Sequence, residues 1–207
     1  MKQQLDMVFT DIFPDAVKIG MVPNAAQIGV IAERLSLYQA KNIVVDPVMV
    51  ATSGSRLMKT DAVDALAELL LPLAALATPN IPEAEVLSGL RIHGRKDMEQ
   101  AAEQIASACG CAVLVKGGHA VADADDVFCD GNTIRWFYGE RIGSPNTHGT
   151  GCTLSSAIAA NLAKGYPPEE AIRRAKEYLS GALGAGLNLG AGAGPMNHAF
   201  GLTGRFA

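Results

Sequence analysis

The segment Asn146-Thr147-His148-Gly149-Thr150-Gly151-Cys152-Thr153-Leu154-Ser155-Ser156 passes from a polar, glycine-broken loop straight into an apolar-faced helix. That order sets free backbone amides and the positive end of a helix dipole where glycines let a ligand approach the main chain. The chemistry such a start suits is the binding of phosphate. An ordinary glycine-containing helix entry has the same spacing, so the pattern alone leaves both readings open. Lys116 closes the apolar run Ala112-Val113-Leu114-Val115 and precedes Gly117-Gly118, which places a cation where the carboxyl ends of parallel strands hold ligands. A solvated terminal lysine is the plainer alternative. Asp46 closes Ile43-Val44-Val45, and Glu83 follows Asn80-Ile81-Pro82 at a helix start. Both carboxylates then lie along one rim and suit Mg2+, held mostly through water. Asn80 and Glu83 serve equally well as a helix N-cap with a first-turn acid, and the two uses are compatible.

These residues need a scaffold that alternates helices with buried strands, and the chain has that pattern. Leu5, Val8, Phe9 and Ile12 recur at helical spacing before Pro14-Asp15, and Ala16-Val17-Lys18-Ile19-Gly20 follows as a short strand. Asn24 is placed to cap a helix with Ile28, Ile31, Leu35 and Tyr38 on one face, leading to the β-branched run 43–46. The pattern repeats with a helix capped by Thr60 or Asp61 and running through Leu71, then Ala75 to Thr78, then a helix from Asp97 to Ala108 before Ala112 to Lys116. Four helix-strand units predict an α/β fold with a mostly parallel sheet and helices on both faces, because parallel neighbours need long crossovers. Val127-Phe128-Cys129 and Thr133 to Phe137 flank the turn Asp130-Gly131-Asn132, which predicts an antiparallel hairpin at a sheet edge. Helices over 151–164 and from 168 to about 183 complete the set, and the glycine-rich run 184–194 reads as an irregular loop.

Composition narrows the function classes. The chain has 207 residues, 49% of them hydrophobic and 18% charged, enough for a substantial core and too apolar for disorder. A formal net charge of −4 supplies no overall basic field for a polyanion, so nucleic acid is not expected as a partner. Cys109, Cys111, Cys129 and Cys152 form no C-x-x-C pair, which speaks against a structural zinc site or a disulfide scaffold and for a reducing, cytoplasmic setting. Met1 to Thr10 has no signal-peptide pattern, and Pro72 interrupts the apolar stretch 69–77, so no membrane is expected either.

No G-x-x-x-x-G-K-[ST] occurs, nor a G-x-G-x-x-G after a strand, so the phosphate site belongs to neither a P-loop nor a dinucleotide fold. The string Asn146 to Ser156 resembles the signature of the hydroxymethylpyrimidine and phosphomethylpyrimidine kinases of thiamine biosynthesis, which have the ribokinase-like fold. Residues 16–21, 45–50, 78–84, 115–119 and 194–198 look like that family's other motifs in the same order, so the resemblance covers nearly the whole chain. It implies ATP-dependent phosphorylation of hydroxymethylpyrimidine and then of its monophosphate, with ATP and Mg2+ as cofactors. Gly149, Thr150 and Gly151 would form the anion hole for the transferring phosphate. Cys152 would occupy the catalytic-base position, where most ribokinase relatives have Asp; a helix N-terminus is an environment that makes a thiol more acidic. A small buried hydrophobe is the other reading of Cys152.

The resemblance further implies that Lys116, Asn80, Glu83 and Thr147 contact ATP, that Met21, Val48 and Cys152 receive the pyrimidine, and that Asp46 and Glu83 hold the metal. Plain core is the alternative for Met21 and Val48. A pyridoxal-type kinase and a non-catalytic nucleotide-binding remnant are the other functions compatible with these motifs, and a homodimer is the assembly to look for. The family's leading strand, glycine-rich substrate loop and hairpin have no counterpart before Met1-Lys2-Gln3-Gln4. The chain therefore reads as one N-terminally truncated kinase domain over 1–207.

Overall fold

The computed structural model describes residues 1–49, 58–118, 124–143, 147–187, 189 and 194–202. Six strands form one sheet in chain order: β1 (Val17–Ile19), β2 (Ile43–Val45), β3 (Leu76–Ala77), β4 (Ala112–Lys116), β5 (Asp126–Cys129) and β6 (Ile134–Phe137). The first four are parallel, and β5 and β6 are antiparallel to their predecessors, as the alternation and the Asp130-Gly131-Asn132 turn predict. The helices are α1 (Lys2–Asp11), α2 (Ala25–Leu37), α3 (Thr60–Ala65), α4 (Ile81–Ser88), α5 (Arg95–Cys109), α6 (Thr150–Ala163) and α7 (Pro168–Gly184).

Side-chain alternation along the strands divides the interior in two. Ile43, Val45, Ala77, Val113, Val115, Val127 and Cys129 face one core with residues of α1 to α5, among them Phe9, Ile28, Leu66 and Ile105. Val44, Leu76, Leu114 and Phe128 face the other, against Leu154, Ile158 and Leu162 of α6 and Ile172 of α7. Successive right-handed crossovers in one direction leave the connecting helices on a single face. The second face is thus available to α6 and α7, which enter after the hairpin.

Local signals act largely as read. Asn24 caps α2 by accepting from the Gln27 amide at 2.9 Å. Neither Thr60 nor Asp61 caps α3: Thr60 is its first residue, and Lys59 precedes it with no side-chain cap. Nor does a regular helix reach Leu71, because the chain widens into a π turn over Leu66–Leu70 and then tightens into a 3-10 turn over Leu71–Leu73. Pro72 explains the change, since it has no amide to donate and its ring crowds the carbonyl four residues back. Helix α5 starts at Arg95 rather than Asp97, and the Asp97 carboxylate accepts from the His93 amide at 2.8 Å to close the turn before it. The motif residues Val50, His119 and Asn146, and residues 188 and 190–193 of the glycine-rich run, lie outside the described residues.

Ile158 is fully buried between the sheet and α7. Ile158→Ala is expected to lower unfolding stability by about 2–5 kcal/mol in urea titration. Val86→Ala, at an exposed position, should stay within about 0.5 kcal/mol.

Candidate functional site

Strands β2, β3 and β4 end side by side, and polar residues take over where their apolar runs stop. Asp46 follows β2, Thr78 follows β3 and Lys116 ends β4. The Lys116 ammonium reaches across to the Asp46 carboxylate, with Nζ to Oδ1 at 2.7 Å. Thr78 Oγ1 donates to the same oxygen at 3.4 Å, and Ser155 Oγ of α6 lies 3.3 Å from Oδ2. Asp46 is only 2% exposed, so its charge needs this full set of donors. The sequence reading missed Thr78 and Ser155 as partners of Asp46. Thr78 stood in view one residue past an apolar strand, whereas Ser155 carries no local signal.

Asn80 and Glu83 join the same cluster through the backbone. The Lys116 amide donates to the Pro79 carbonyl at 2.8 Å, and Asn80 and Lys116 form a parallel bridge. Asn80 and Glu83 make a reciprocal capping box: Asn80 Oδ1 accepts from the Glu83 amide at 2.9 Å, and Glu83 Oε2 accepts from the Asn80 amide at 2.8 Å. Pro82 sits in the first turn of α4, where its missing amide costs nothing. Glu83 Oε1 also accepts from the Met49 amide at 3.4 Å. Burial pushes the Glu83 carboxyl above its ordinary range and Asp46 adds to this, against the opposing pull of Lys116 and of those two amides.

Helix α6 delivers the third side of the site. Gly149 precedes it with φ of 81°, a left-handed conformation that favours glycine. Thr153 is the first residue whose amide bonds back at ordinary length, to the Gly149 carbonyl at 2.8 Å, and the Thr150 amide makes only a long contact of 3.4 Å to Thr147. Among the described residues none accepts from the amides of Gly151 and Cys152. Among the described residues no side chain caps the helix, which leaves these amides at the positive end of its dipole. A Cβ on Gly151 would lie 3.4 Å from Lys116 Nζ and 3.7 Å from Asp46 Oδ2, which places this turn directly against the ion pair.

The structure thus brings together Asp46, Asn80, Glu83, Lys116 and the turn Gly149-Thr150-Gly151. Thr147 is exposed beside that turn. Cys152 is exposed, which removes the reading of a buried hydrophobe, and it opens onto a groove of about 850 Å³ between α6 and α7 that is also lined by Asn161, Arg174, Tyr178 and His198. Met21 is 50% exposed rather than core, and Val48 is half-buried. The Asp46 amide donates to the Ile19 carbonyl at 2.8 Å, so the end of β1, with Gly20 and Met21 after it, lies next to the cluster. Met196 of the C-terminal motif packs toward Gly149, with its Cε 3.8 Å from where a Cβ on that glycine would be.

The hairpin braces this rim from outside. Asp126 pairs with Lys116 across the β4–β5 ladder, accepts from the Gly117 amide at 3.0 Å and is held by the Lys176 ammonium of α7. Gly117 has no room for a side chain, because a Cβ there would lie 2.0 Å from the Asp125 carbonyl oxygen. Among the described residues no group of three His, Cys, Asp or Glu is arranged to hold a metal ion. Nor is any helix among them long and apolar enough to cross a membrane.

The four cysteines differ sharply. Burial pushes the Cys109 and Cys129 thiols up, and Cys111 is pushed up to about 12 by burial and by its neighbour Cys109. With iodoacetamide at pH 8 the folded protein is expected to gain one adduct, at Cys152, read by peptide mass spectrometry. Comparable labelling of Cys111 would contradict this arrangement.

Comparison with known proteins adds the lineage. Residues 1–197 match the family model described as phosphomethylpyrimidine kinase. The chain is 50% identical over 199 residues to the hydroxymethylpyrimidine/phosphomethylpyrimidine kinase of Rhizobium meliloti, covering 94% of this chain and 74% of that protein. It is also 50% identical over 196 residues to the thiamine biosynthesis bifunctional protein ThiED of Geobacter sulfurreducens, covering 94% of this chain but only 40% of that longer protein. Among solved structures, an ADP complex of Bacillus subtilis pyridoxal kinase superposes with a TM-score of 0.87 at 39% identity, over 96% of this chain and 75% of that one.

Proposed function

The chain belongs to the phosphomethylpyrimidine kinase family, and from that premise we propose that it transfers the terminal phosphoryl group of ATP to hydroxymethylpyrimidine and then to the resulting monophosphate, on the way to thiamine diphosphate. The observation that carries this reading is the pair of amides at Gly151 and Cys152, which no described residue accepts from, set beside the Lys116 ammonium. Charge that spreads over a transferring phosphoryl group is stabilised by donors already fixed in place, and an amide turn flanked by a lysine supplies them.

Gly149, Thr150 and Gly151 hold the transferring group in this scheme, and Lys116, with Thr147, Asn80 and Glu83 around it, holds the phosphates of ATP. In the first transfer the hydroxymethyl oxygen forms a bond to the terminal phosphorus, the bond to ADP breaks, and the alcohol proton passes to Cys152 acting in its thiolate form, which becomes the thiol. In the second the acceptor is a phosphate oxygen and no such proton has to leave. Met21 and Val48 are the walls proposed for the pyrimidine ring. Mg2+, when bound, neutralises charge on the phosphates of ATP. Asp46 and Glu83 have the hard oxygen donors it favours, but both carboxylates already accept bonds from protein donors, so they suit a metal held through water. A kinase fed by ATP works in the cytoplasm, in keeping with buried free thiols.

The likeness to the pyridoxal kinase structure favours a second reading, in which the same phosphate machinery serves a pyridoxal-type ring. Both are tested by ADP release from Mg-ATP with hydroxymethylpyrimidine, with its monophosphate, with pyridoxal and with no acceptor. Release that depends on the pyrimidines is expected. Faster release with pyridoxal would transfer the assignment, and nucleotide binding without release would leave a non-catalytic nucleotide-binding protein. Gly151→Leu should cut turnover by about 100-fold or more while the circular dichroism stays unchanged. Cys152→Ala should cost less, and only where the acceptor is the alcohol.

A further inference from the structure

Lys18 has no part in the scheme so far. It is the middle residue of β1, whose flanking Val17 and Ile19 face the core with α1 to α5. Strand alternation therefore sends Lys18 to the opposite face, beside its register partner Val44, on the side of the sheet covered by α6. The side chain is half-buried there, and among the described residues no hydrogen bond or ion pair holds its ammonium. It extends along the strand toward the rim: Nζ lies 2.8 Å, and Cε 3.9 Å, from where a Cβ on Gly20 would stand. Gly20 shares that face two residues on, and its missing side chain leaves the space that the lysine head fills. One strand away at the same level is Asp46, whose amide bonds the Ile19 carbonyl. Asp46 is already matched by Lys116, Thr78 and Ser155, so it does not neutralise Lys18.

A half-buried cation with no described residue opposite it, pointed at the rim of the proposed phosphate-transfer site, is complementary to an anion that arrives with the ligand. An alcohol acceptor brings no charge. A phosphate-ester acceptor does, and it must approach a second phosphate in order to react. We propose that Lys18 is the residue that distinguishes these acceptors, binding the phosphate group of the already phosphorylated pyrimidine. This deepens, and rests on, the kinase reading given above.

The test is calorimetric binding of hydroxymethylpyrimidine and of its monophosphate to the wild-type chain, to Lys18→Met and to Lys18→Arg, together with ADP release by each. The wild type should bind the monophosphate more tightly than the alcohol. Lys18→Met should weaken monophosphate binding, and raise its KM, by roughly ten- to a hundred-fold, with the constants for the alcohol and for ATP within two-fold. Lys18→Arg should restore much of the loss. Equal effects on both acceptors, or none on either, would overturn the proposal and leave Lys18 a packing residue. Loss of the binding difference in Gly20→Leu, which pushes the ammonium aside, would support it independently. A wild type that keeps the binding difference but releases no ADP would overturn the kinase reading alone.

Discussion

A carboxylate removed from water has to be matched by donors from the protein, and Asp46 carries that requirement to the middle of the molecule. It stands on β2, yet its donors come from β3, β4 and α6. Its demands fix how far each strand extends and how closely α6 approaches the sheet. The apolar cores supply the driving force for collapse, but an apolar face tolerates small slides, whereas a desolvated charge does not. The glycine turn that opens α6 is therefore positioned by a bond that contributes little net stability and a great deal of register.

The two-faced sheet explains why the polar cluster converges at one end. Apolar runs hold each parallel strand inside the sheet, and the first polar residue after each run emerges at its carboxyl end, between the two helical layers. The hairpin then adds a support that parallel strands lack. With Asp126 opposite Lys116 and tied to both Gly117 and Lys176, the last turn of β4 is clamped from the sheet edge and from α7 at once.

Much of this was legible locally. The alternation of helices and buried strands, the Asn24 cap, the Asn80–Glu83 start and the glycine-flanked entry into α6 each depend on residues a few positions apart, and each stands as read. What escaped depends on distance or on competition. Ser155 meets Asp46 only because α6 crosses the sheet, and the motif it belongs to gives no sign of that partner. Pro72 was read as an interruption of an apolar stretch, but its effect on the preceding turn, a widening into π geometry, reflects crowding of a carbonyl that propensity does not register. For Met21 the structure removes only the plain-core alternative: an apolar residue after a buried strand suits the core, yet the chain has already left the sheet and exposes it.

The bond between Ser155 and Asp46 spans 109 residues of sequence. A ribosome adding about 5–20 residues per second needs roughly 5 to 20 seconds to bridge that interval. Throughout it, the Asp46 carboxylate lacks its last donor, although Thr78 and Lys116 are made earlier and reach it first. The early helix-strand units can pair as they appear, since their contacts are between neighbours, but the polar rim is completed only when α6 arrives. Maturation of this protein is thus ordered in time from scaffold to rim, and a nascent chain halted before α6 would have most of its sheet and no glycine turn against the Lys116–Asp46 pair.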